Sequence, residues 1–131
     1  MKKILLDTNA YVRFLGGDEK VLKTLTDAEV VYLSIFVLGE LHAGFHGGNK
    51  AAANRKILRD FLRKPSVRPL DATAETAEIF GLVKDKLKRN GTPLPINDVW
   101  IAAHALETGS VVVTYDNHFT RIQGLRLWDL P

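Results

Sequence analysis

Four carboxylates occupy positions from which side chains could converge on one substrate. Asp7 and Asp116 each follow a short apolar run that is typical of a buried strand. Glu40 lies inside an otherwise apolar helical stretch, and Asp98 lies in the first turn of a predicted helix after a proline-rich loop. Ligands bind at the carboxyl ends of strands in open parallel sheets, so an α/β chain would bring these acids to one edge.

Divalent-metal catalysis is the chemistry that would use such a group of acids. Mg²⁺ and Mn²⁺ prefer oxygen ligands, commonly one or two carboxylates together with waters and phosphate oxygens. Clustered carboxylates raise one another's pKa, so the arrangement is unfavourable until protons or a cation relieve it. A bound ion lowers the pKa of a coordinated water and stabilises charge on a leaving oxygen, which suits hydrolysis of a phosphodiester.

The elements that must position these acids alternate between strands and helices. Strands are predicted near residues 3–6, 30–34, 67–70, 110–114 and 126–128, and helices at 10–15, 19–26, 35–46, from about 50 to 64, 72–89 and 98–108. Pro69 argues that the third strand is either an edge strand or an irregular segment. This order predicts a three-layer α/β/α sandwich with a mostly parallel central sheet.

Length and composition limit the class of protein. The 131 residues suffice for one domain, which we place at 1–131, and 46% of them are hydrophobic. The sequence has no cysteine, no run long enough to cross a membrane and no signal-peptide core, so we expect a cytoplasmic protein. The net charge of +3 and the pI near 9.3 slightly favour polyanionic partners.

Four segments carry a family resemblance. In order and spacing they are similar to the four signatures of PIN-domain ribonucleases, and the small single-domain form resembles a VapC-type toxin of a toxin–antitoxin pair. The segments are AspThrAsnAlaTyrVal at 7–12, GluLeuHisAlaGly at 40–44, AsnAspValTrpIleAlaAlaHisAla at 97–105 and ThrTyrAspAsnHisPhe at 114–119.

The resemblance implies roles for particular residues. Asp7, Glu40, Asp98 and Asp116 would form the metal-binding and catalytic set. Thr8, Asn9 and Thr114 would be supporting polar residues, with Thr114 holding water or metal-bound ligands. Two positions depart from the family pattern: Tyr115 stands where a basic residue is frequent, and His118 and Phe119 stand where many relatives have another acid.

The resemblance also implies an activity and partners. The chain would be an endoribonuclease dependent on Mg²⁺ or Mn²⁺ that cleaves structured RNA into products with 5′-phosphate and 3′-hydroxyl ends. A cognate antitoxin would inhibit it, and homodimers are usual in the family. The alternative is a regulatory module that binds RNA or protein without cutting it. The retained acids argue against that alternative, because a pure binder gains nothing from repulsion beside phosphate.

Each acid also has an ordinary structural explanation. Asp7 and Asp98 could cap helices, Glu40 could pair with a lysine or arginine, and Asp116 could form an Asx-turn. All four histidines are interpreted as structural or surface residues, because their spacing matches no known metal motif. The tryptophans are interpreted as core or interface residues.

A row of arginines is a further candidate for contact with RNA. Arg55, Arg59 and Arg63 share one face of a predicted helix. The buried side of that helix would carry Ile57, Leu58, Phe61 and Leu62. Such a row is usually a solvated face, and contact with phosphates is the functional alternative.

Overall fold

The computed structural model describes residues 2–128. Within that part of the chain, strands and helices alternate as the sequence predicts. Their order is β1 (Lys3–Leu6), α1 (Thr8–Leu15), α2 (Glu19–Asp27), β2 (Val30–Ser34), α3 (Ile35–His46), α4 (Ala51–Leu62), β3 (Val67–Leu70), α5 (Ala74–Arg89), α6 (Ile96–Thr108), β4 (Val111–Val113), a 3-10 helix (Asn117–Arg121) and β5 (Arg126–Leu127).

The strands form one sheet in the order β3-β2-β1-β4-β5, and every pairing between neighbours is parallel. The chain adds β2 and β3 on one side of β1 and later adds β4 and β5 on the other. The strand order therefore reverses between β1 and β4. In open parallel sheets this reversal opens a crevice at the carboxyl ends of the two strands, which is the usual place for a ligand.

Helices cover both faces of the sheet. Consecutive strand residues point to opposite faces, yet Ile4, Leu5 and Leu6 are all fully buried, and so are Val112 and Val113. This burial confirms the predicted α/β/α sandwich. Pro69 lies in β3 at the edge of the sheet, as predicted, where its missing N–H removes no pairing with an outer strand.

Two local expectations are wrong. Asp98 does not cap α6: the N-cap is Pro95, and Asp98 is the third residue of the first turn. Ile57 does not lie on the buried side of α4, since 45% of its surface is exposed, whereas Leu58 and Phe61 are buried. Among residues 2–128, no helix combines the length and apolarity needed to span a membrane.

Candidate active site

Asp7 lies at the crevice between β1 and β4. Its backbone N–H donates to the carbonyl of Val113 at 3.2 Å, which joins the ends of the two strands. Its side chain caps α1 through a 2.8 Å bond from the Ala10 N–H to Oδ1, while Oδ2 accepts from the Thr114 hydroxyl. The capping role is therefore real and coexists with membership of the acid group. Both carboxylate oxygens are held in fixed directions.

Burial raises the pKa of the Asp7 carboxyl. The two hydrogen bonds from Thr114 and Ala10 oppose the shift, and the negative charges of Asp116 and Glu40 add to it. Only 4% of the Asp7 surface is exposed. A carboxylate in this position is costly without a cation, because little water reaches it and its charged neighbours repel it.

Thr114 connects two of the acids. Its hydroxyl donates to Asp7 and accepts from the backbone N–H of Asp116 at 2.9 Å. The Asp116 carboxylate in turn accepts the His118 N–H at 2.9 Å, which is the Asx-turn considered from the sequence, and this turn begins the 3-10 helix. Asp116 is thereby oriented by its own loop and by the hydroxyl that also holds Asp7.

Glu40 enters from α3. The helix begins at Ser34, whose hydroxyl accepts the Phe36 N–H, and Glu40 lies in its second turn, half-buried. The Thr8 hydroxyl donates to Glu40 Oε1 at 2.7 Å. Thr8 is the residue after Asp7, so this bond fixes Glu40 relative to the first acid. The ion pair with a lysine or arginine considered from the sequence is absent within residues 2–128.

Asp98 completes the group from the first turn of α6. Burial, followed by the charges of the other three acids, raises its pKa to about 6, while His118 opposes the shift. Within the described chain, its carboxylate accepts no hydrogen bond. The charges of Asp7, Glu40 and Asp116 all reach Asp98, so the four acids lie around a shared region. Helices, strands and loops from four parts of the chain therefore meet there.

The supporting residues divide into two groups. Thr8 and Thr114 each donate to an acid, whereas Asn9 is exposed and makes no side-chain hydrogen bond within residues 2–128.

One site residue was missed in the sequence: His118 Nδ1 lies 3.1 Å from Asp116 Oδ1. Its position two residues after Asp116 was the available signal, because a 3-10 turn folds such a neighbour back onto the acid.

A buried histidine holds α6 against the start of α3. His104 Nδ1 lies 2.8 Å from the Ser34 hydroxyl, and Nε2 lies 3.1 Å from the Asp71 carbonyl. A carbonyl can only accept, so Nε2 carries the proton and Ser34 donates to Nδ1. Burial lowers the His104 pKa. Trp100 reinforces the same contact by stacking on Phe36, with ring centroids 4.8 Å apart.

The four acids offer only oxygen donors. Among residues 2–128, no three histidine, aspartate or glutamate side chains are close enough to hold a metal ion by themselves. Mg²⁺ does not require such a cage, because it usually keeps several waters and takes one or two carboxylates. The donor chemistry and the raised pKa of Asp98 therefore fit a hydrated Mg²⁺ or Mn²⁺ ion.

A parallel sheet with acids at the ends of β1 and β4 defines the class of protein. The PIN domain family model matches residues 4–125, so the chain belongs to the PIN domain family. Within that family, its relatives place it among the VapC-type proteins. It is 30% identical over 132 residues to the tRNA(fMet)-specific endonuclease VapC of Salmonella typhimurium, with 98% of both chains covered.

Two further comparisons agree. Ribonuclease VapC2 of Haemophilus influenzae is 29% identical over 131 residues, with 96% of both chains covered. A chain in the crystal structure of DNA-bound VapBC from Salmonella typhimurium superimposes with a TM-score of 0.87 at 30% identity, covering 98% of each chain. The likeness therefore extends over the full sheet and all the acid-bearing elements.

Proposed function

We propose that the protein is a VapC-type endoribonuclease that hydrolyses phosphodiester bonds of structured RNA with Mg²⁺ or Mn²⁺. The observation that carries the proposal is the meeting of Asp7, Asp116 and Glu40 near the carboxyl ends of β1 and β4, where the Thr114 and Thr8 hydroxyls link them through hydrogen bonds. Four carboxylates influence one another across the crevice, and His118 is the basic side chain that contacts one of them within residues 2–128. The named activity of the VapC relatives supports the same reaction.

The four acids would surround a hydrated ion, with one or two of them as direct ligands and the others reaching it through its waters. They differ in how firmly the chain holds them. Asp7 and Glu40 are fixed by donors from the chain, so they supply oxygen atoms in set positions. Asp98 is not fixed by a hydrogen bond within the described residues, and its pKa of about 6 means that it ionises readily near neutral pH. A bound divalent cation supplies an acidified water and stabilises charge on the leaving oxygen.

The chain's residues would then align water and RNA. Thr114 couples the positions of Asp7 and Asp116, so the two acids at the strand ends would approach one phosphate together. Water would attack phosphorus and the 3′-oxygen would leave, which gives 5′-phosphate and 3′-hydroxyl ends. The buried Asp7 would keep its position through this step, because both of its oxygens already accept hydrogen bonds.

We also propose two protein partners. A cognate antitoxin would inhibit the enzyme, which the likeness to a chain of a VapBC complex supports. A second copy of the chain would form a homodimer. Leu82, Ile96, Val12 and Leu22 each expose more than half of their area, and a partner would cover some of this apolar surface.

Cleavage of RNA by purified protein tests the proposal. Protein freed of any antitoxin is incubated with total RNA in Mg²⁺, in Mn²⁺ and in chelator, beside Asp7→Asn and Asp98→Asn variants. We expect cleavage that requires the cation and is lost in both variants. Equal cleavage by wild type and variants would identify a contaminant and reject the assignment. Binding of RNA without cleavage under all conditions would favour the regulatory-module alternative.

A further inference from the structure

Helices α3 and α4 enclose a groove with a volume of about 300 Å³. Its floor is apolar, and its walls carry the positive side chains. Among the described residues, the lining is His42, Arg55, Leu58, Arg59 and Leu62. Arg63, the third member of the arginine row, is the C-cap of α4 and does not belong to this lining. The row predicted from the sequence therefore divides into two groove arginines and one outside the groove.

The charge of the groove is not compensated by acids. Within residues 2–128, no carboxylate lies within 4.0 Å of the Arg55 or Arg59 guanidinium. Lys56, on the same helix, does have a partner, since its Nζ lies 3.4 Å from Asp60 Oδ2. The groove lining contains no acid, so the guanidinium donors remain available to an anion from outside. Guanidinium groups bind phosphate oxygens in pairs, through two parallel N–H donors.

The groove and the acid site lie on opposite flanks of α3. Glu40 and His42 are two residues apart, so their side chains point about 200° apart around the helix. The solvent side between them carries Gly39 and Ala43, both exposed. A Cβ added at Gly39 would meet no atom within 4 Å, so this ridge is bare and open. A phosphate backbone could cross it close to the helix and reach both flanks.

We propose that this groove binds backbone phosphates of the RNA strand whose scissile bond lies at the acids. The inference rests on the proposed function, and it assigns the RNA contact to Arg55, Arg59 and His42. Phosphate is the fitting ligand because the groove combines two free guanidinium groups and an imidazole with an acid-free lining. The acid site itself repels phosphate until a cation is bound, so a separate cationic surface is needed to hold the strand.

The test measures RNA binding without cleavage. Three proteins are titrated with bulk transfer RNA across a range of salt concentrations, and all three carry Asp98→Asn. The first is this parent alone, the second adds Arg55→Gln and Arg59→Gln, and the third adds Lys56→Gln. Each arginine that contacts a phosphate is expected to contribute roughly 1 to the slope of log affinity against log salt. We therefore expect the double variant to bind about tenfold or more weakly, with a slope lower by roughly 2, and Lys56→Gln to match the parent.

The outcomes separate this inference from the proposed function. An equal loss in Lys56→Gln would show a response to the general charge of α4 and overturn the groove. Unchanged binding in the double variant would also overturn it, even where wild-type protein cleaves RNA. Weakened binding to an acidic protein partner, with RNA binding unchanged, would assign the groove to that partner instead. Failure of wild-type protein to cleave RNA would reject the nuclease, while the binding comparison would still decide the groove.

Gly39→Leu tests the path across α3. A Cβ at this exposed position meets no atom within 4 Å, so the backbone has room for a side chain on the ridge. Replacing glycine inside a helix favours folding, so lost stability would not explain a defect. We expect the KM for RNA cleavage to rise about three- to tenfold with little change in kcat, because only strand binding is obstructed. A wild-type KM would rule out a strand crossing this ridge.

Discussion

The two ends of α6 lie at opposite sides of the sheet. Its last turn lies where the strands begin, which we call the amino edge, and its first turn lies where the strands end, which we call the carboxyl edge. The charged side chains suit the end of the helix at the amino edge, whereas at the carboxyl edge they oppose one another. At the amino edge, Lys3 Nζ donates to the Thr108 carbonyl and Arg126 donates to the Gly109 carbonyl, each at 3.3 Å. Cations at the negative end of a helix are favourable. At the carboxyl edge, Asp98 lies at the favourable positive end, yet its pKa is raised to about 6.

The difference shows which edge is arranged for folding and which for chemistry. The amino edge matches cations with free carbonyl groups, so nothing further is required there. At the carboxyl edge, burial and three other acids outweigh the favourable helix end at Asp98. This arrangement costs stability in the absence of a cation, and such conflicts are concentrated at functional sites. Variants at the two edges should therefore differ in kind.

The largest expected difference is in catalysis. Asp7→Asn should lower the rate of RNA cleavage at saturating RNA by at least about 100-fold, a loss of about 2.7 kcal/mol of transition-state stabilisation. Lys3→Gln combined with Arg126→Gln should leave that rate unchanged, because both side chains lie at the other edge. Single-turnover cleavage measures both. A comparable loss from the amino-edge pair would remove the distinction between the edges.

The second largest expected effect is on the free energy of unfolding, through the hydrogen bond between Ser34 and His104 near the carboxyl edge. Ser34→Ala leaves buried His104 Nδ1 without its donor, so the free energy of unfolding should fall by about 1–3 kcal/mol. Urea denaturation of Ser34→Ala, His104→Phe and the double variant measures the coupling between the two positions. A double variant whose loss equals the sum of the single losses would show that this bond contributes nothing.

The prediction from sequence succeeded where local patterns determine structure. Apolar runs located the strands, and the parallel-sheet rule directed attention to the residues after β1 and β4. Long-range partners left no such signal. Ser34 and His104 are 70 residues apart, and neither sequence neighbourhood indicates the other. Helical spacing placed Arg55 and Arg59 on one face, but only packing shows that α3 lies opposite them and makes a groove.

The third and smaller difference is in how the free energy of unfolding depends on pH, because Asp98 and His104 act in opposite directions. The folded-state pKa of Asp98 is raised from 3.8 to about 6, so protonation favours the native state. Its contribution to stability is fully present below pH 3.8 and is lost as pH rises through about 6. His104, whose pKa is lowered, acts in the opposite direction: stability falls as pH decreases below its ordinary value of 6.5.

Asp98→Asn separates these two contributions. At pH 8 without metal, the variant should be more stable than wild type, by roughly 1 kcal/mol after allowance for solvent screening at a half-exposed site. The difference between the two proteins should shrink between pH 6 and pH 4, because wild-type Asp98 is then protonated. Urea midpoints across this range measure it. A pH-independent difference would mean that neither burial nor the neighbouring acids raise the pKa of Asp98.

The smallest effect belongs to the amino edge. Lys3→Ala and Arg126→Ala should each lower the free energy of unfolding by about 0.3–1 kcal/mol at low salt, because each removes a cation from the end of α6. The loss should disappear in high salt, which screens exposed charges. Urea denaturation at both salt concentrations measures this. A loss that persists in high salt would show that the aliphatic stems pack on the helix end, and the amino edge would then owe its stability to packing rather than to charge.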